Sequence, residues 1–119
     1  MGFLQYPLSV TPVKSIIAQM QNATPEDIAL VEKAYAFGLS AHKDDVRYSG
    51  EPYFVHPAAA AKILAELGMD GATISAGLLH DAIEDGKATA EKVKEEFGEE
   101  VLFLVEGVTK LGKHKYRGA

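Results

Sequence analysis

The residues most able to do chemistry in this chain lie in one short segment, residues 78–85 (LLHDAIED). His80 and Asp81 are adjacent, and Glu84 and Asp85 follow one helical turn later. On a helix these are two i,i+4 pairs, so the four polar groups share one side. The neighbouring residues are apolar, and burying three carboxylates and an imidazole there is costly unless a cation or hydrogen bonds satisfy them. The segment therefore predicts a metal site.

The chemistry that such a site supports is hydrolysis at phosphorus. His56, just before Pro57, is placed to supply a further ligand, and imidazole with carboxylate suits Mn²⁺, Fe²⁺ or Zn²⁺. Such an ion binds phosphate oxygens and acidifies a bound water, whose proton Glu84 or Asp85 would accept. A single helix histidine is more often a core residue, and the two acids could be a solvated helix end. Four such groups on one side of an apolar helix favour the site.

Hydrophobic spacing and start signals predict an all-α chain, with no convincing strand alternation. The clearest start signal is Thr24-Pro25 with Asp27, a capping residue followed by proline at N1 and an acid at N3. Thr11 and Thr89 are expected to cap the first and fifth helices. Gly68 is expected to end the third helix. The expected helices, in chain order, cover about residues 11–20, 24–42, 57–67, 73–84, 89–97 and 99–108.

Length and composition indicate one domain in a reducing compartment. The 119 residues include no cysteine, which excludes disulfides and thiolate metal sites and makes the cytoplasm the expected location. We identify no signal peptide or membrane span. The net charge is −5, with four basic residues and no acid in 110–119, so the remainder carries −9. An acidic body with a basic end does not predict nucleic-acid binding.

Three segments together resemble a known family: residues 47–57 (RYSGEPYFVHP), LLHDAIED, and 107–111 (GVTKL). They resemble the N-terminal hydrolase domain of RelA/SpoT proteins, which make and hydrolyse the alarmone (p)ppGpp. That domain is an HD-type metal-dependent phosphohydrolase, so the resemblance implies an all-α HD-domain helical bundle. It covers about residues 25–117, and we expect the hydrolase domain at 25–119 after an N-terminal helical extension at 1–24.

The resemblance also implies roles for the residues of the metal site. His56, His80 and Asp81 would be ligands of a Mn²⁺ ion. Glu84 and Asp85 would be the catalytic pair that activates the attacking water.

A substrate pocket is implied as well. Arg47 would contact the guanine base, in agreement with the tendency of guanidinium groups to stack on base planes, although a loop arginine is more often simply solvated. Ser49 and Tyr53 would line the same pocket, with packing as the alternative role of Tyr53. No pattern surrounds His42 or His114, and we interpret both as structural or exposed.

One departure from the family pattern concerns the metal. Family members supply a further Asp ligand and a nearby Asn from later helices, whereas the last aspartate here is Asp85. We therefore expect a domain truncated at its C-terminal end, which binds metal more weakly than the longer protein or not at all, and which is inactive by itself. A last helix without its packing partner would expose apolar residues and favour self-association. These residues are Val101, Leu104, Val105 and Val108.

The leading functional hypothesis is metal-dependent hydrolysis of the 3′-pyrophosphate of (p)ppGpp, giving GDP or GTP and pyrophosphate. It places the chain in a longer bifunctional synthetase/hydrolase with a guanine nucleotide as its partner. Two alternatives remain open: an HD phosphohydrolase of another nucleotide, and a non-catalytic regulatory HD module.

Overall fold

The computed structural model describes residues 10–47 and 50–118, with side chains described through Val108. Within those ranges the chain is helical, and the only strand-like pairing is an isolated antiparallel bridge between Val46 and Pro52. The predicted all-α class is confirmed. The helices are α1 (Val13–Gln19), α2 (Pro25–Ala41), α3 (Val55–Glu66), α4 (Gly71–Glu84), α5 (Ala90–Phe97) and α6 (Glu99–Gly118).

The predicted capping signals of α2, α3 and α5 are confirmed. The Thr24 side chain accepts a hydrogen bond from the Asp27 N–H at 3.0 Å, and the Asp27 carboxylate accepts one from the Thr24 N–H at 3.1 Å. The Thr89 hydroxyl accepts a hydrogen bond from the Lys92 N–H at 3.1 Å. Gly68 follows α3 with a φ of +82°, a conformation that glycine adopts without steric cost.

The predicted starts of α1 and α4 are wrong by one or two residues. The N-cap of α1 is Pro12, whose backbone is extended, so Thr11 does not cap this helix. Helix α4 begins at Gly71 rather than Thr73, because the Asp70 carboxylate accepts a hydrogen bond from the Thr73 N–H at 2.9 Å. Capping residues bond the N–H two or three positions ahead, so this helix extends back toward Asp70.

Helix α3 begins at Val55, two residues before the predicted start at Pro57. A proline fits the first turn of a helix because the first four N–H groups have no acceptor within the helix. His56 therefore belongs to the first turn of α3 itself, and its backbone is fixed by the helix.

Helix α4 is the centre of the fold, with α2, α3 and α6 packed around it. Ile74, Leu78 and Leu79 are almost completely buried, and Ala82 continues the buried face to the last turn. A helix that is apolar on most of its circumference must be covered on most sides. Its polar C-terminal end emerges from this packing, so the chemistry-bearing residues sit at one end of the core.

The expected exposure of the last helix is wrong for two of its four residues. Val101 and Val105 are buried, since this face of α6 covers α4 and α5. Leu104 is partly buried, and the exposed apolar side chains of this segment are Phe103 and Val108. Self-association through α6 stays a prediction.

Among the described residues, no helix is both long and apolar enough to cross a membrane.

Candidate active site at the end of helix α4

His80 is oriented by the backbone of its own helix. Its Nδ1 lies 2.9 Å from the carbonyl oxygen of Gly77. A carbonyl can only accept, so Nδ1 carries the proton, and Nε2 of the neutral ring holds a free lone pair. That Nε2 lies 3.1 Å from Oδ1 of Asp81, and each side chain is about three-quarters buried. The last turn of α4 thus presents one imidazole nitrogen and one carboxylate oxygen side by side.

This pair has the chemistry of two neighbouring metal ligands. Donor atoms about 2.1 Å from an octahedral ion lie roughly 3.0 Å from each other at adjacent positions. The His80–Asp81 separation of 3.1 Å matches that spacing. Metal-bound histidines commonly donate their other N–H to a carbonyl or carboxylate, as His80 does to Gly77. The two residues therefore fit a divalent cation.

The third predicted ligand, His56, lies at the exposed start of α3. The side chain of His56 is 54% exposed, and its Nε2 lies 3.7 Å from Oε1 of Glu51. Among the described residues, no group of three or more His, Cys, Asp or Glu side chains is arranged to hold a metal ion. The structure brings His80 and Asp81 together, and the ligand role of His56 stays a prediction.

When the ring is protonated, its Nε2–H donates a hydrogen bond to the Asp81 carboxylate, and this hydrogen bond sets the electrostatics of the pair. The contact with Asp81 raises the pKa of His80 above its ordinary value, against the opposing effect of burial, and the Glu84 carboxylate adds to the rise. The same contact with His80 lowers the pKa of Asp81, and smaller contributions come from His42 and Tyr53. Each partner thus favours the charged form of the other.

The predicted catalytic acids lie at the exposed end of α4. Glu84 is the last residue of the helix, and Asp85 is its C-cap, with its N–H donating to the Asp81 carbonyl at 2.9 Å. Burial, together with the carboxylates of Asp81 and Asp85, raises the pKa of Tyr53 to about 12. The Tyr53 hydroxyl therefore faces the carboxylates of α4, and it is neutral at physiological pH.

The segment from Asp45 to Tyr53, which we call the Arg47 loop, is closed by two backbone hydrogen bonds. The Arg47 N–H donates to the Glu51 carbonyl at 2.9 Å, and the Tyr53 N–H donates to the Asp45 carbonyl at 3.0 Å. The charge of Arg47 opposes the rise in the Tyr53 pKa. The predicted pocket residue Ser49 lies outside the described residues.

His42, predicted to be structural or exposed, contacts both ends of this loop. Its side chain is completely buried, its Nδ1 is 3.1 Å from Oδ2 of Asp45, and its ring stacks on Tyr53 with centroids 4.7 Å apart. Asp45 also forms an ion pair with Lys87 at 3.1 Å. The i,i+3 spacing of His42 and Asp45, just ahead of Arg47, is the sequence signal that could have identified these contacts of His42.

A model of the HD domain family matches residues 34–117, which include the His80–Asp81 pair and the Arg47 loop. The chain belongs to the HD domain family. Membership fits the helical bundle and the adjacent His and Asp on its central helix.

Several curated proteins are similar to this HD domain. The chain is 52% identical over 93 residues to a guanosine-3′,5′-bis(diphosphate) 3′-pyrophosphohydrolase of Aquifex aeolicus, covering 78% of the chain and 13% of that protein. It is 47% identical over 105 residues to the bifunctional (p)ppGpp synthase/hydrolase SpoT of Escherichia coli, covering 87% and 15%. A GTP pyrophosphokinase of Myxococcus xanthus is 53% identical over 87 residues, covering 73% and 12%.

These relatives confirm the resemblance to RelA/SpoT proteins. The HD domain spans about one-eighth of the length of the relatives it matches, between 12% and 15% in these three. The predicted boundary between an N-terminal extension at 1–24 and the hydrolase domain at 25–119 stays a prediction.

Proposed function

We propose that this HD domain hydrolyses the 3′-pyrophosphate of (p)ppGpp, releasing GDP or GTP and pyrophosphate, as the hydrolase part of a longer alarmone-metabolising protein. The observation that carries the proposal is the meeting of two features at one end of the core. The His80–Asp81 pair lies near the end of α4, and the Asp45–Lys87 ion pair ties the Arg47 loop to the same end. The relatives named as 3′-pyrophosphohydrolases support the choice of substrate.

The cofactor proposed is Mn²⁺, held by His80 and Asp81, with His56 as a third ligand. HD-domain hydrolases generally depend on a divalent metal. When bound, such an ion polarises a phosphate oxygen and lowers the pKa of a bound water. The hydrogen bond from Nδ1 of His80 to Gly77 keeps Nε2 available as a donor atom.

The remaining residues have roles that follow from their chemistry. The exposed carboxylates of Glu84 and Asp85 would hold the attacking water and accept its proton. Arg47 stacks on the guanine base, for which a planar guanidinium is suited. Tyr53 lines the same pocket, with its neutral hydroxyl toward the carboxylates of α4. Ser49 is proposed to line the same pocket.

The first test is Mn²⁺ binding, measured on this chain by electron paramagnetic resonance. We expect the free-ion signal to decrease on adding the chain, and Asp81→Asn to restore it. Asp44→Asn, which changes an exposed aspartate in the turn after α2, is the matched control and should bind like the wild type. Equal binding by wild type and Asp81→Asn would exclude the proposed site.

The second test is hydrolysis by the full-length protein that carries this domain, with Mn²⁺ and a panel of nucleotides. We expect ppGpp to yield GDP and pyrophosphate, and Glu84→Gln to reduce kcat by roughly 10²–10⁴-fold, the range of general acid–base catalysis. Glu100→Gln, an exposed glutamate in the first turn of α6, is the control. Preference for another nucleotide would indicate an HD phosphohydrolase with a different substrate. Metal binding with no turnover of any nucleotide would favour a regulatory module.

A further inference from the structure

His42 is a buried polar residue, and packing alone does not explain why a histidine occupies this position. Its side chain has no exposed surface, and among the described residues its Nε2 has no hydrogen-bond partner. Leaving a buried polar atom unpaired costs about 1–3 kcal/mol, so an apolar ring would serve better if packing were its only role. The role of His42 must therefore come from its remaining contacts.

Those contacts join the two parts of the candidate site. Nδ1 of His42 contacts Asp45, whose backbone carbonyl accepts the hydrogen bond that closes the Arg47 loop at Tyr53. The imidazole ring also lies flat against the Tyr53 ring, with an interplanar angle of 18°. Asp45 in turn pairs with Lys87, just beyond the end of α4. One side chain thus fixes both ends of the loop.

We propose that His42 is a positioning residue, which holds Tyr53 and the Arg47 loop in register with the carboxylates at the end of α4. It does not contact the reacting atoms. The catalytic consequence rests on the proposed function, whereas the effect on the loop can be measured without substrate.

Three substitutions separate the two contacts. His42→Phe keeps a ring against Tyr53 but loses the hydrogen bond to Asp45. His42→Asn keeps a polar group that can reach Asp45 but loses the stack, and His42→Ala loses both. If both contacts position the loop, Ala should have the largest effect and the other two should each restore part of the wild-type behaviour.

The first readout is amide hydrogen exchange at Arg47 and Tyr53, whose N–H groups close the loop. We expect His42→Ala to accelerate both by about tenfold or more, since the loop would then open without unfolding the core. Val93→Ala, which removes buried volume in α5, is the control for general destabilisation. The comparison is made at temperatures equally far below each unfolding midpoint.

The second readout is ppGpp hydrolysis by the full-length protein. We expect His42→Ala to raise KM by roughly tenfold while kcat changes by less than about threefold, because the loop binds substrate and α4 is unmoved. Wild-type exchange at Arg47 and Tyr53 in His42→Ala would overturn the inference, as would equal acceleration in Val93→Ala. If the wild type hydrolyses no ppGpp, the proposed function fails, and the exchange data alone decide the role of His42.

Discussion

Gly38→Ala should destabilise this domain although alanine is the better helix former. Gly38 lies in α2 where that helix crosses α4. A Cβ at this position would lie 2.7 Å from Cε1 of Phe54 and 2.8 Å from the carbonyl oxygen of Leu78. The first distance is 0.7 Å short of the 3.4 Å at which ordinary contact begins. Neither neighbour can move freely, since Phe54 is buried edge-on against Tyr35 and the Leu78 oxygen is backbone.

The magnitude is the difference between two opposing effects. Replacing glycine by alanine inside a helix gains about 1 kcal/mol of helix propensity. Overpacking a tight core typically costs about 1–3 kcal/mol, and a contact with backbone belongs at or above the upper end because two helices must separate. We expect a net loss of roughly 1–2 kcal/mol. For a domain of this size that corresponds to a fall in Tm of about 4–8 °C.

The assay is thermal and urea unfolding followed by circular dichroism, with Gly107→Ala as the matched control. Gly107 is also inside a helix, α6, but among the described residues no atom beyond its chain neighbours and the backbone of α6 lies within 4 Å of a Cβ built there. The same substitution should therefore raise Tm at Gly107 and lower it at Gly38. A Gly38→Ala protein as stable as the wild type would refute the close α2–α4 packing described above.

Three further outcomes are expected. Thr24→Ala should lose about 1 kcal/mol in urea unfolding because the capping box of α2 is removed, and Thr24→Ser should retain the stability; equal losses in both would argue against the cap. Ring NMR should show Tyr53 still neutral at about pH 11, since burial and the nearby carboxylates raise its pKa to about 12; titration near the ordinary value of 10.0 would contradict this. Without metal, the pair of His80 and Asp81 should stabilise the fold most at intermediate pH. The Asp81 contribution is present above its ordinary pKa of 3.8 and is lost as pH falls through its lowered folded value. The His80 contribution is present below its ordinary pKa of 6.5 and is lost as pH rises through its raised folded value. Unfolding free energies of wild type and Asp81→Asn should therefore differ most between those limits, and a difference independent of pH would exclude the pair.

Much of the fold could be predicted because its signals are local. The capping box at Thr24, the cap at Thr89 and the glycine after α3 each depend on residues a few positions apart, and all three predictions are confirmed. The predicted start of α4 is wrong because Asp70 and Thr73, which are both residues that can cap a helix, stand three positions apart. The observed starts of α1 and α3, at Pro12 and Phe54, carry no side-chain cap that the sequence could have signalled. At α3 the misleading signal was Pro57, which is accepted at the third position of the helix as readily as at the first.

The sequence by itself determined the chemistry that is available at the site. The order and spacing of His80, Asp81, Glu84 and Asp85 on one helix fix which groups are neighbours, because helical geometry relates residues one turn apart whatever surrounds them. Arg47, in the loop before α3, was identified instead through the resemblance to RelA/SpoT proteins.

Only the tertiary structure decided which distant residues join that helix and which do not. It buried Val101 and Val105 where exposure was expected, placed His56 beside Glu51, and stacked His42 on Tyr53. Such contacts depend on how α2, α3 and α6 pack around α4, and on close approaches such as that at Gly38. Packing of this kind is set by the shapes of many side chains together, which no local pattern records.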